Sequence, residues 1–135
     1  MAALTGGCAC GAIRYESNGE VLFAVNCHCR DCQHESGGAF VPVLGVSKAG
    51  FAVTRGTPRE FGVKADSGAI TLRLFCADCG SPLFGLPGVA SDMVTIRAGS
   101  LDDPSGFRPS QDIFVSSAQP WDCMDPSLPK IAKLR

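Results

Sequence analysis

Cysteine dominates the chemistry available to this 135-residue chain, which carries eight of them. Seven fall into three groups: Cys8-Ala9-Cys10, Cys27-His28-Cys29-Arg30-Asp31-Cys32 and Cys76-Ala77-Asp78-Cys79, with Cys123 alone. Gly80 follows the C-x-x-C pair and Gly11 follows the first C-x-C pair. This is the pattern of a zinc knuckle, in which a tight turn aims two thiolates at one point and glycine lets the backbone fold back under the metal. Two pairs make four thiolates, and zinc bound by four thiolates is a closed structural site. Cys8, Cys10, Cys76 and Cys79 are therefore expected to hold one zinc ion and to staple distant parts of the chain.

Cys27, Cys29 and Cys32 remain as a separate triad supplied by one short stretch. Three ligands leave a fourth position free, as in catalytic zinc sites. Three thiolates on Zn²⁺ give a net charge near −1 and strong sulfur donation, so such a metal is a weaker Lewis acid than one held by histidines. It suits the activation of an incoming thiol better than the generation of hydroxide, because a zinc-bound thiol is held as the nucleophilic thiolate. Cys123, His34 and His28 are the candidates for a closing fourth ligand, and an open site is the leading expectation. Asp31 is read as solvating the triad loop.

The start of the chain has no basic segment followed by an apolar one, and no apolar stretch approaches the roughly 20 residues needed to cross a bilayer. The expectation is a cytoplasmic protein, away from membranes, whose thiols stay reduced and bind metal instead of forming disulfides. A formal net charge of −1 gives no electrostatic footprint for nucleic acid. With 45% apolar and 19% charged residues the chain is globular, and its length fits one domain over residues 1–135.

The elements that must position these thiols read as an all-β domain. Apolar residues alternate with a period near two in 13–16, 40–46, 51–56, 60–65, 69–76, 93–101 and 112–117, and turn signals rich in Gly, Pro, Asn and Asp separate the runs. Only Arg30 to Ser36 offers a short helical turn. Pro42 marks an edge strand or a bulge, and Gly37-Gly38 a turn. Arg73 and Arg97 alternate with apolar neighbours and are expected to point outward as polar-face residues. Trp121 and Phe114 read as core, and the Pro-interrupted tail from Gln119 as surface coil. The apolar strands leave room for a homodimer without specifying one.

The stretches "GGCACGAIRY", "CHCRDCQHESG", "FCADCGSPLF", "IRAGSLDDP" and "IFVSSAQPWDCMDPSLP" cover nearly the whole chain. Together the sequence resembles the family of glutathione-dependent formaldehyde-activating enzymes. The resemblance implies an Mss4-like fold of coiled sheets stapled by zinc. It also implies two zinc ions, a structural one on Cys8, Cys10, Cys76 and Cys79 and a catalytic one on Cys27, Cys29 and Cys32. The activity implied is a carbon–sulfur lyase reaction, reversible condensation of formaldehyde with glutathione to S-(hydroxymethyl)glutathione. Glutathione, or a related thiol or thiol–aldehyde adduct, would be the small-molecule partner, with His34 or water carrying the proton. For the carboxylates of a glutathione-like ligand, Arg30, inside the triad loop, is the best-placed cation. Where family members often have histidine before the tail's "IF" strand, this chain has Asp112. The competing reading is a non-enzymatic binding or chaperone-like module of the same fold, with both zinc sites closed. A redox or metal-buffering role is the weaker third.

Overall fold

The computed structural model describes residues 3–18, 20–88 and 91–134. Among the described residues the chain is mostly strand: β1 (Leu4–Gly7), β2 (Arg14–Ser17), β3 (Val21–Cys27), β4 (Val41–Ser47), β5 (Phe51–Arg55), β6 (Arg59–Lys64), β7 (Ile70–Phe75), β8 (Pro82–Leu86), β9 (Met93–Arg97), β10 (Gln111–Ile113) and β11 (Lys130–Ile131). One α-helix, α1 (Arg30–Ser36), joins β3 to β4. The larger sheet runs β11-β10-β3-β4-β9-β8-β7-β6, and β1-β2-β5 form a smaller one. The fold is all-β. No helix among the described residues is long and apolar enough to cross a membrane.

β4 is the hinge of the packing, because both of its faces are covered. Leu44 and Val46 belong to one apolar cluster with Ile13, Tyr15, Leu74, Leu83, Phe84, Val94 and Ile96. Val41 and Val43, of opposite parity on the strand, belong to a second cluster with Val25 and Ile113. Successive side chains on a strand point to opposite faces, so the sheet separates the two clusters. Cys8 and Cys76 lie in the first cluster, Cys27 and Cys32 in the second. The smaller sheet caps the first cluster, where Tyr15 stacks on Phe51 with centroids 5.4 Å apart.

Seven of the strands overlap the alternating runs of the sequence, though the runs 93–101 and 112–117 are strand only as far as Arg97 and Ile113 and continue in 3-10 turns. The helix α1 spans the residues expected of it. Cys29 caps its start and Gly37, in the left-handed region at φ 68°, caps its end. The structure corrects three expectations. β4 is an interior strand, and Pro42 fits because β9 pairs with β4 only from Val43 onward, leaving Pro42 beside β3 alone. The tail is not all coil, since β11 joins the sheet in parallel beside β10. Trp121 is not core but 66% exposed.

Candidate metal centres

The four-thiol centre is built from two similar turns. In each, an amide closes back on the first cysteine: Gly11 N–H to Cys8 O at 3.2 Å, and Gly80 N–H to Cys76 O at 2.8 Å. Gly11 and Gly80 have φ of 80° and 79°, a conformation that side chains with a Cβ rarely adopt. The Ser81 hydroxyl joins the turns, accepting from Ala9 N–H at 3.0 Å and lying 3.1 Å from Cys79 Sγ. That Ser81 contact leads in holding the Cys79 thiol down at about 6. Burial opposes a charge on Cys8, but the Ile13 N–H bonded to its sulfur at 3.2 Å helps bring the thiol below its ordinary range.

The sulfurs of all four cysteines lie within 4.8 Å of one another. Cys10 Sγ stands 3.6 Å from Cys8 Sγ and 3.7 Å from Cys76 Sγ. In a tetrahedral zinc site with bonds of about 2.3 Å the sulfurs stand about 3.8 Å apart. The donor set and its spacing fit zinc.

The three-thiol centre is made by the end of β3 and the start of α1. Cys27 closes the strand, Cys29 is the helix N-cap, and Cys32 lies in the first turn with its N–H donated to Cys29 Sγ at 3.3 Å. The three sulfurs again lie within 4.8 Å of one another. Hydrogen bonds from the thiols of Cys27 and Cys32 push Cys29 far below the ordinary thiol range, and the same sharing pushes Cys27 up. Three sulfurs gathered from one short stretch and converging on one point are a donor set that also fits zinc.

No fourth Cys, His, Asp or Glu joins the triad among the described residues. Cys123 is exposed and outside the group. His34 is exposed on the helix, 3.3 Å from an Arg30 nitrogen. His28 is fully buried, with Nδ1 2.5 Å from Asp122 Oδ2 and Nε2 2.8 Å from Asp112 Oδ1. Both ring nitrogens face carboxylates. Asp112 also accepts from Lys130 Nζ at 2.8 Å. Burial opposes its charge, but Lys130 and His28 outweigh that and hold the carboxyl below its ordinary range.

A second charged group lies on the other side. Glu35, on α1, accepts from Arg73 Nη1 at 2.9 Å and from Arg97 Nε and Nη2 at 2.7 and 2.8 Å. Both Nη1 and Nη2 of Arg73 lie 3.8 Å from Cys32 Sγ. Burial opposes the charge of Glu35, and the two guanidinium groups, Arg97 first, overcome it and lower its pKa. The expectation that Arg73 and Arg97 face solvent is thus overturned. Their parity is as read, opposite to the core residues Leu74 and Ile96, but that face of the sheet is itself covered by α1. Glycine makes room for them: a Cβ on Gly85 would stand 2.9 Å from Arg97 Nη1.

Cys27, Cys29 and Cys32 all line a cavity of about 770 Å³. Its floor is this same sheet face, with Val25, Val43, Arg73 and Arg97, and Phe114 on its wall. Phe114, read as core, packs partly against the second cluster but has φ 57° and lines the cavity. Arg30 lines it too, exposed, with its guanidinium on Gln33 Oε1 at 2.5 Å. Gln33 went unnoticed in the sequence. Buried, it donates to His28 O at 2.8 Å and Ser117 O at 2.9 Å, locking the triad loop to the start of the tail. Nothing in a one-dimensional reading distinguishes it from any helix glutamine.

The fold is similar to that of a crystal structure of a Rhodobacter sphaeroides protein, with a TM-score of 0.58 and 20% identity, covering 78% of this chain and 91% of that one. No curated protein matches the chain. The family model described as "glutathione-dependent formaldehyde-activating enzyme" matches residues 3–117, a span that holds all seven clustered cysteines. The chain belongs to the glutathione-dependent formaldehyde-activating enzyme family.

Proposed function

We propose that the chain is a zinc-dependent carbon–sulfur lyase acting on the adduct of a thiol and an aldehyde, with glutathione or a close relative as the thiol. The observation that carries this reading is a set of three thiols, with no fourth ligand among the described residues, opening on a large cavity. Cys8, Cys10, Cys76 and Cys79 would hold a structural zinc. Zinc held by Cys27, Cys29 and Cys32 would supply the positive charge that keeps an incoming thiol in its thiolate form.

The chain's own groups do the rest. The Cys32 N–H donates to Cys29 Sγ at 3.3 Å and so supports negative charge on that sulfur. Val25, Val43 and Phe114 line the cavity with apolar surface. Arg30, Lys64 and Lys133 stand on the same cavity as cationic partners for the carboxylates of a peptide-like thiol. In cleavage, the electron pair of the carbon–sulfur bond returns to sulfur. The adduct's hydroxyl proton leaves to water as the carbonyl forms. His34 lines a neighbouring cavity instead, so water is the better proton acceptor.

The test follows exchange between thiol, aldehyde and adduct by NMR with the zinc-loaded protein, set against the uncatalysed rate. Acceleration by the wild type, lost in a folded Cys29→Ser variant, supports the lyase. Exchange at the uncatalysed rate with both proteins sinks it and leaves the binding-module reading.

A further inference from the structure

We propose that Arg73 is the counter-charge of the three-thiol centre. Acting through Cys32, it makes the metal-loaded triad accept an anionic thiolate in preference to a neutral donor. This rests on reading the triad as an open zinc site that admits a thiol.

The inference comes from charge balance in a buried place. Arg73, Arg97 and Glu35 have side chains only 14%, 9% and 12% exposed. Two guanidinium groups and one carboxylate leave a net charge of +1. A buried charge without a partner is costly, so such a cluster needs an anion nearby. The carboxylates on the other side are already engaged, Asp112 with His28 and Lys130 and Asp122 with His28, and neither is hydrogen-bonded to Arg73 or Arg97 among the described residues. Arg30, Asp31, Lys64 and Lys133 are exposed and screened by water.

What Arg73 does face is sulfur. Both of its terminal nitrogens lie 3.8 Å from Cys32 Sγ, while Nη1 also holds Glu35. Its Nε is buried and makes no hydrogen bond among the described residues, so the side chain is turned to serve the sulfur and not its own full pairing. Zn²⁺ with three thiolates has a net charge of −1, which the +1 cluster cancels. An incoming thiolate then brings the assembly to −1. Without the Arg73 charge the same step would end at −2 in a poorly solvated site, where electrostatic energies are large. A neutral ligand such as imidazole adds no charge and should be indifferent to Arg73. Arg73 is thus a positioning and charge-balancing residue, not a catalytic one.

Cobalt(II) substituted for zinc reports both centres through sulfur-to-metal charge-transfer absorption. The experiment titrates N-acetylcysteine and, separately, imidazole into the cobalt-loaded wild type, Arg73→Gln and Arg73→Lys. Loss of an outer-shell partner commonly costs about 10–100-fold. Arg73→Gln is expected to weaken N-acetylcysteine binding by about that factor while imidazole binding stays near wild type, and Arg73→Lys to recover most of the loss. The bands of the four-thiol centre report the fold within the same sample. Unchanged thiol affinity in Arg73→Gln overturns the proposal, as does an equal loss of thiol and imidazole binding. If Arg73→Gln does not fold, Arg73→Lys decides: retained preference for the thiol supports the charge role and its loss overturns it. A wild-type triad that binds cobalt but no thiol defeats instead the underlying reading of the site.

Discussion

The two thiol centres use the same donor atom in opposite settings. The four-thiol centre joins two turns more than sixty residues apart in sequence, with Cys10 and Cys79 exposed. Its sulfurs are supported by backbone amides and the Ser81 hydroxyl, and four thiols converge there. The three-thiol centre comes from six consecutive residues, is half-buried to buried, and has charged clusters on two sides and a cavity on a third. What differs between the two centres is the charge and the open space around the sulfur, not the sulfur itself.

The comparison breaks most directly by removing one thiol from each centre. Cys76→Ser should lose the cooperative thermal transition, since metal-coupled folding of small thiolate sites is worth about 10–16 kcal/mol. Cys29→Ser should keep that transition, lose one zinc per chain by metal analysis, and lose turnover. If both variants unfold, the triad is a second staple and the contrast fails.

A smaller effect tests the charged cluster beside the triad. Glu35→Gln leaves two buried guanidinium groups without their shared carboxylate and should cost about 3–5 kcal/mol in urea unfolding. The pH dependence has a definite sign. The folded-state pKa of Glu35 lies below its ordinary 4.5, so its contribution is present above that value and is lost as pH falls through the depressed one. Wild-type stability should therefore fall in acid more steeply than that of Glu35→Gln.

On the other side, Asp122→Ala leaves one nitrogen of buried His28 unpaired and should cost about 1–3 kcal/mol. It should also release the tail to proteolysis after Gln119. The smallest effect belongs to the surface pair Arg14–Asp102, whose nitrogen–oxygen distance is 2.5 Å. Its hydrogen bond to Arg14, first, and to Thr5 lowers the Asp102 carboxyl from 3.8 to about 2. The pair contributes above pH 3.8 and its contribution fades towards pH 2, a minor change in Tm that Asp102→Asn abolishes.

Much of the fold was legible because short-range rules decide it. Alternation placed β2, β4, β5, β6, β7, β9 and, of β10, Asp112 and Ile113, and the break in alternation over Arg30 to Ser36 placed α1. β8 escaped notice because Leu83, Phe84 and Gly85 are buried in succession and alternation disappears, and β3 because it begins with two exposed apolar residues, Val21 and Leu22, that break the pattern. β1 is rich in glycine and threonine, and β11 is two residues long; neither carries a pattern of its own. Arg73 and Arg97 show the same limit at the site. Period two says that they oppose the core face, but not that a helix covers the face they occupy.

By itself the sequence determined the partition of the thiols, four and three, because turn chemistry is local: two cysteines one or two residues apart before a glycine must converge whatever the rest of the chain does. It likewise determined α1 and the all-β character. Only the tertiary structure decided that no described side chain closes the triad, that His28 is held between Asp112 and Asp122 and faces no thiol, and that Glu35, Arg73 and Arg97 form a charged cluster against Cys32. Those facts depend on which segments the sheet brings together across forty to ninety residues, and burial of charge acts between neighbours in space.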